Sequence, residues 1–355
     1  MMGMLQFLVP LALIVATACS AAHAAYETQD VAGDTYTNPV GGEIRMGDPF
    51  VLLHEGAYYL YGTTARDGFR CWRSPDLVHW TELGYAYRRA EDSWGTGSFW
   101  APEVFRYRGL FYMGFSCQRE KEEGFRLCLA VSEDPAGPFR DLHGPWCDIG
   151  WSCIDAHVFV DDDGTPYLYF AQVGVVENAT ARPRQRYIYG KIHGLRLKED
   201  LSGPAGEPVL CAEADQEWED PESVRVRCNE GAFVLKHAGR YYMTYSATHY
   251  ASPRYGIGYA TAESPLGPWT KSDSNPLART DPEKGVSGPG HNSFTTSPDG
   301  REVFMVYHAH ADPEHPSGNR TVNIDRVVFD EDGRMRLIGP TRTHQPMPSG
   351  APESP

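Results

Sequence analysis

Asn229–Ser246 reads NEGAFVLKHAGRYYMTYS. An acid, Glu230, stands before a short apolar run, a turn follows at Gly239, and an aromatic-rich segment runs from Tyr241 to Tyr245. β-Branched and aromatic residues on either side of a Gly-containing loop predict a hairpin with a carboxylate at its entrance. The pattern recurs behind Asp48 (GDPFVLLHEGAYYLYGT), Glu103 (APEVFRYRGLFYMGFS) and Asp155 (IDAHVFVDDDGTPYLYFA), and with a histidine in the lead at His291 (GHNSFTTSPDGREVFMVYHA). Successive leading residues lie 52 to 75 positions apart. Strand-rich units repeating at this period predict a β-propeller. We therefore expect an all-β, five-bladed propeller forming a single domain over residues 25–345, followed by a C-terminal tail over 346–355. The inner strand of each blade lines the axial channel, so Asp48, Asp155 and Glu230 are expected to meet there despite their separation along the chain.

Composition points the same way. Twenty Tyr, eight Trp, 36 Gly and 27 Pro in 355 residues suit many short strands joined by tight turns. No long stretch carries apolar residues at helical spacing, which argues against an α or α/β fold. The formal net charge of −15 argues against a nucleic-acid partner and, more weakly, against a membrane surface or an anionic polysaccharide. Met1–Ala24 is an apolar run ending in Ala22-His23-Ala24, the pattern of a secretory signal peptide. The expected location is secreted or periplasmic. Seven cysteines follow that leader. Cys117 with Cys128, Cys147 with Cys153, and Cys211 with Cys228 are close enough in sequence to pair in an oxidising compartment; buried reduced thiols are the alternative.

Acidic residues converging in a channel beside aromatics suit glycosidic bond hydrolysis. One carboxyl protonates the leaving oxygen, another activates water on the opposite face, and a third near the donor keeps it protonated by like-charge repulsion. Glu219 and Glu222 are rival acids, but they lie in the irregular segment Ala212–Arg227, which either shapes a pocket or is a solvated insertion. Asp161-Asp162-Asp163-Gly164 lacks the alternating ligands of a calcium loop and reads as a polar hairpin turn.

The ordered set Gly47-Asp48-Pro49, Trp100-Ala101-Pro102-Glu103-Val104, Ile154-Asp155, Glu230-Gly231 and Gly288-Pro289-Gly290-His291 resembles glycoside hydrolase family 43 over about residues 38–338. The resemblance implies an inverting hydrolase acting on arabinose- or xylose-containing glycans, with Asp48 as general base, Glu230 as general acid and Asp155 tuning and orienting that acid. Ala232 departs from the family's usual proline after Glu-Gly. Trp100 is expected either to stack on a sugar or to pack in the core, and Arg320 either to reach the sugar or to form a structural ion pair. His291 is expected to face a hydrated calcium ion in the central channel, or else to hydrogen-bond the acids. No cofactor is required for the reaction itself. The first expectation for substrate is a terminal α-L-arabinofuranosyl residue, with β-D-xylosidase or endo-arabinanase action on the same scaffold as the alternative. A non-catalytic carbohydrate-binding propeller is the alternative of a different class.

Overall fold

The computed structural model describes residues 33–178 and 185–352. The expected leader, Met1–Ala24, lies outside the described residues. The chain is all-β, and the helical segments among the described residues are two three-residue 3-10 turns, Lys121–Glu123 and Glu217–Glu219. Four-stranded antiparallel units follow one another: blade one over residues 47–88, blade two over 97–143, blade three over 153–212, blade four over 226–271 and blade five over 290–338. Blades three and four are fused into one eight-stranded sheet, because Ile188–Gly190 pairs in parallel with Val226–Cys228. The fusion follows from length. The hairpin Pro166–Asn178 and Gln185–Arg196 has arms of 13 and 12 residues and overshoots its blade.

One local device recurs at the head of the inner strands. In each of them the antiparallel register slips at a β-bulge, and a residue there takes a left-handed backbone: Asp48 (φ 56°), Ala101 (47°), Asp155 (62°), Gly231 (60°) and His291 (46°). A bulge re-aims the side chains around it, and a left-handed non-glycine residue is unfavourable unless its surroundings hold it. This corrects the expected register of blade two, which Glu103 was to lead. Ala101 occupies the leading position there, and Glu103 lies two residues further down the channel. In blade four the leading position belongs to Gly231, so Glu230 stands one residue nearer the rim, as Trp100 does in blade two.

The bulge N–H groups tie neighbouring blades together. Those of Ala101, Asp155 and His291 donate to the hydroxyls of Thr63, Ser116 and Ser246, each on the second strand of the preceding blade. Asp48 N–H donates to His308 Nδ1, and Gly231 N–H donates to Asp155 Oδ2. Together they form a closed circuit around the rim. Below it, Phe50, His157 and Phe233 fill the axis, with ring centroids 6.3 Å apart for Phe50–Phe233 and 4.4 Å for His157–Phe233. His157 accepts the Val234 N–H at Nε2, which leaves Nδ1–H to donate to Glu103 Oε2 at 2.6 Å. Blades two, three and four are thereby pinned beneath the rim.

The chain ends join on the outside, where Thr35–Tyr36 pairs with Gln345–Pro346. Arg326 donates to the carbonyls of Pro346 and Met347, and Ser349 N–H donates to Glu302. The boundary expected at 346 therefore falls inside an ordered segment. All seven described cysteines are free thiols, which corrects the disulfide option. Even the nearest pair, Cys117 and Cys128, has sulfurs 3.2 Å apart as hydrogen-bonded thiols.

Candidate active site

The structure brings Asp48, Asp155, Glu230, His291 and Arg320 together at the rim of the channel. Asp48 receives the Arg320 guanidinium (Nη1–Oδ1 2.9 Å) and the Thr63 hydroxyl at 2.6 Å, and its carboxylate lies 3.3 Å from His291 Nδ1 and 3.7 Å from His308 Nδ1. Burial alone would raise its pKa. Arg320, then His291 and His308, outweigh that cost, and the carboxyl is held well below the usual range. Asp48 is therefore ionised at neutral pH.

Asp155 behaves oppositely. Burial pushes its pKa up to about 7, and the nearby Glu230 and Asp48 carboxylates add to the rise against the pull of His291 and the Gly231 N–H. Gly231 shares the left-handed backbone of the other leading residues (φ +60°), and a Cβ there would crowd the His291 ring at 3.1 Å.

Both oxygens of Glu230 are held. Tyr255 O–H donates to Oε1 at 2.7 Å, and the Cys228 thiol donates to Oε2 at 3.2 Å. Burial first, and then Glu230, push both donors well above their ordinary pKa values, so each keeps its hydrogen. The Tyr255 ring lies against Gly290, where a Cβ would fall 2.0 Å from it, and stacks on His308 with centroids 5.6 Å apart and planes 2° from parallel. His308 in turn accepts the Asp48 N–H. A path of contacts, Glu230–Tyr255–His308–Asp48, therefore links the two carboxylates that the resemblance expects to be acid and base.

Sequence reasoning missed Tyr255, Cys228 and Thr63, which lie on other strands or outside the repeated motif. His308 and His310 share one strand face, a spacing that also suits a metal. His308 serves Asp48 instead, and His310 bridges the Ser287 hydroxyl and the Tyr250 carbonyl.

Trp100 is 38% exposed at the rim, with its ring 4.3 Å from that of Phe125, so it presents a free face and is not core. Arg320 is buried and spent on Asp48, below the Tyr250 ring. Glu219 is fully buried, paired with Lys271 at 2.7 Å and bonded by the Asn229 amide and the Asp215 and Gln216 N–H groups, while Glu222 is exposed. Neither rival acid faces the channel. Asp161–Gly164 forms the turn of the blade-three inner hairpin, with Lys236 bonded to Asp161 and Asp162.

The residues around His291 do not fit a directly held calcium ion. The imidazole faces Asp48, and although burial lowers its pKa, Asp48, Asp155 and Glu230 outweigh that and raise it, favouring the protonated ring, which is no ligand. Among the described residues no group of three or more His, Cys, Asp or Glu side chains is arranged to hold a metal. No step below is routed through one.

Comparison with known proteins agrees with this geometry. Residues 36–335 match the model of glycosyl hydrolases family 43. The chain is 29% identical to the beta-D-galactofuranosidase xynD of Aspergillus niger, over 83% of this chain and 82% of that one. It is 31% identical to an extracellular exo-alpha-(1->5)-L-arabinofuranosidase of Streptomyces chartreusis, over 77% of this chain and 82% of that one. A thermostable family-43 glycoside hydrolase of known crystal structure superposes with a TM-score of 0.82 at 47% identity, covering 89% of this chain and all of the other. The carboxylate-lined channel and these likenesses agree, and the chain belongs to glycosyl hydrolases family 43 as a glycosidase acting on O-glycosyl bonds.

Proposed function

We propose that the protein is an exported, inverting exo-glycosidase that removes terminal α-L-arabinofuranosyl residues from arabinose-containing glycans. Asp48 is the general base: an ionised carboxylate held by Arg320 polarises the attacking water. Glu230 is the general acid, placed at the rim where the leaving oxygen passes. Asp155, a buried neighbour whose own carboxyl is pushed up to about 7, tunes and orients that acid. Trp100 offers its free face to the sugar.

The observation that carries this reading is the opposed electrostatics of one buried site, with Asp48 driven to the anion and Asp155 driven to hold a proton. Two relatives whose names describe furanoside hydrolysis support a furanosyl substrate. A second reading, β-D-xylosidase action, is supported by the xylosidase/arabinosidase of Bacteroides ovatus, 27% identical over 82% of this chain. Parallel assays on aryl α-L-arabinofuranoside, aryl β-D-xyloside and linear arabinan decide between them. Glu230→Gln is expected to lower turnover of arabinan about 100- to 10,000-fold; unchanged turnover rejects the acid assignment.

A further inference from the structure

The two oxygens of Glu230 are held unequally. Oε1 accepts the Tyr255 hydroxyl at 2.7 Å, the length of a full-strength O–H···O bond. Oε2 meets the Cys228 thiol at 3.2 Å, and a thiol is both a weak donor and a weak acceptor. The fold sets the sulfur there. Cys228 pairs with Gly190 across the parallel seam of blades three and four, and its carbonyl accepts the Thr248 N–H at 3.0 Å. Gly190 leaves the room that the thiol fills, because a Cβ at 190 would lie 2.3 Å from Cys228 Sγ. Cys228 is 4% exposed, so the contact is made away from bulk water. Between thiol and acid, the Asn229 amide donates to Glu219 Oε1 at 3.2 Å and anchors the backbone.

A neutral carboxyl has one oxygen that carries the hydrogen and one that only accepts. With the proton on Oε1, the Tyr255 hydrogen would have to leave its 2.7 Å acceptor. With the proton on Oε2, Oε1 goes on accepting from Tyr255, and the thiol alone has to turn. The second arrangement gives up the weaker bond. We propose that Cys228 is a positioning residue for the general acid, leaving the transferable proton on Oε2 of Glu230.

On the general-acid reading of Glu230, on which this rests, the Oε2 hydrogen passes to the glycosidic oxygen as the bond from that oxygen to the anomeric carbon breaks. The electron pair of the broken bond stays on the oxygen, which leaves as a hydroxyl of the remaining glycan. Water adds to the anomeric carbon and gives its proton to Asp48. Glu230 is then a carboxylate, and the thiol turns back to donate to Oε2. The sulfur thus adds a donor as the negative charge forms, which is when a donor assists the reaction.

Besides the thiol, Glu230 is faced by the Asp155 carboxyl, the His291 imidazole and the Tyr255 hydroxyl, with Asp48 beyond His291. Substitution at 228 keeps all of these, so the test is the pH profile of kcat/KM for linear arabinan in wild type, Cys228→Ser and Cys228→Ala. Serine supplies a stronger donor and alanine none, and a donor to a carboxylate favours its ionised form. The basic limb is expected to move down by about one pH unit in Cys228→Ser and up by about one in Cys228→Ala, a tenfold change in proton affinity each way. Both substitutions shrink the side chain, so a packing role would shift the two profiles alike. Limbs that stay in place, or that move in one direction in both variants, overturn the role of Cys228. Infrared pH-difference spectra read the same contact with residue 228 unchanged. The S–H stretching band should shift across the basic limb in the wild type and not in Glu230→Gln, and a band that stays fixed in both also overturns it. If Glu230→Gln hydrolyses arabinan as fast as the wild type, the general-acid reading itself has failed; if it is inactive while the limbs coincide, only the role of Cys228 falls.

Discussion

The Arg320 guanidinium, 2.9 Å from the Asp48 carboxylate, occupies the volume that a side chain on Gly47 would need. A Cβ at Gly47 would lie 2.0 Å from the guanidinium carbon. Gly47→Ala is therefore expected to displace Arg320, and Arg320→Ala to remove the charge outright. Either change raises the Asp48 pKa toward the ordinary carboxylate value, so the base is lost by protonation at higher pH. The acidic limb of the kcat/KM profile should move upward in both variants. Superimposable limbs would show that Arg320 does not tune the base.

Asp155 makes an opposite prediction for stability. Its pKa rises on folding from 3.8 to about 7, so the folded protein binds more protons than the unfolded chain across that interval. Stability then falls as pH rises through the window and levels off above it. Asp155→Asn should flatten this slope and raise the melting temperature above neutrality while abolishing activity. Melting temperatures measured from pH 4 to 8 check it, and a slope unchanged by the substitution would place the proton elsewhere.

Tyr255→Phe removes one donor from Glu230 and keeps the ring stacked on His308. A hydrogen bond to a charged group contributes about 1.5–3 kcal/mol, so kcat on sugar leaving groups should fall about ten- to a hundredfold. Nitrophenyl glycosides need little proton donation and should lose much less. Equal losses on both substrate types would reduce Tyr255 to a packing role.

Lys271→Met leaves Glu219 buried and unpaired. Breaking a buried ion pair on one side costs about 3–5 kcal/mol, which urea denaturation can read directly. Glu219→Gln added to it should recover part of the loss. Because Asn229 bonds Glu219 immediately before Glu230, activity should fall as well.

The propeller and the meeting of Asp48, Asp155, Glu230 and His291 were legible because a hairpin repeats and circular repetition sends equivalent positions to one axis. Glu103 shows the limit of that reasoning. An acid near the head of a hairpin looks equivalent to its neighbours until the bulge sets the register, and the bulge falls at Ala101. Tyr255, Thr63 and Cys228 were illegible for a different reason. They reach the carboxylates from other strands or from just before the repeated motif, and only the assembled blades make them neighbours. The seven thiols were undecided in sequence because proximity along the chain does not set sulfur geometry.

The backbone pairing that welds blades three and four divides the ring unevenly. Mechanically it is a four-piece hoop, with one double-width plate carrying Asp155 and Glu230, and the other seams bridged at the rim by side-chain acceptors. Asp155 and Glu230 therefore stand on one continuous sheet, while Asp48 belongs to a separate one.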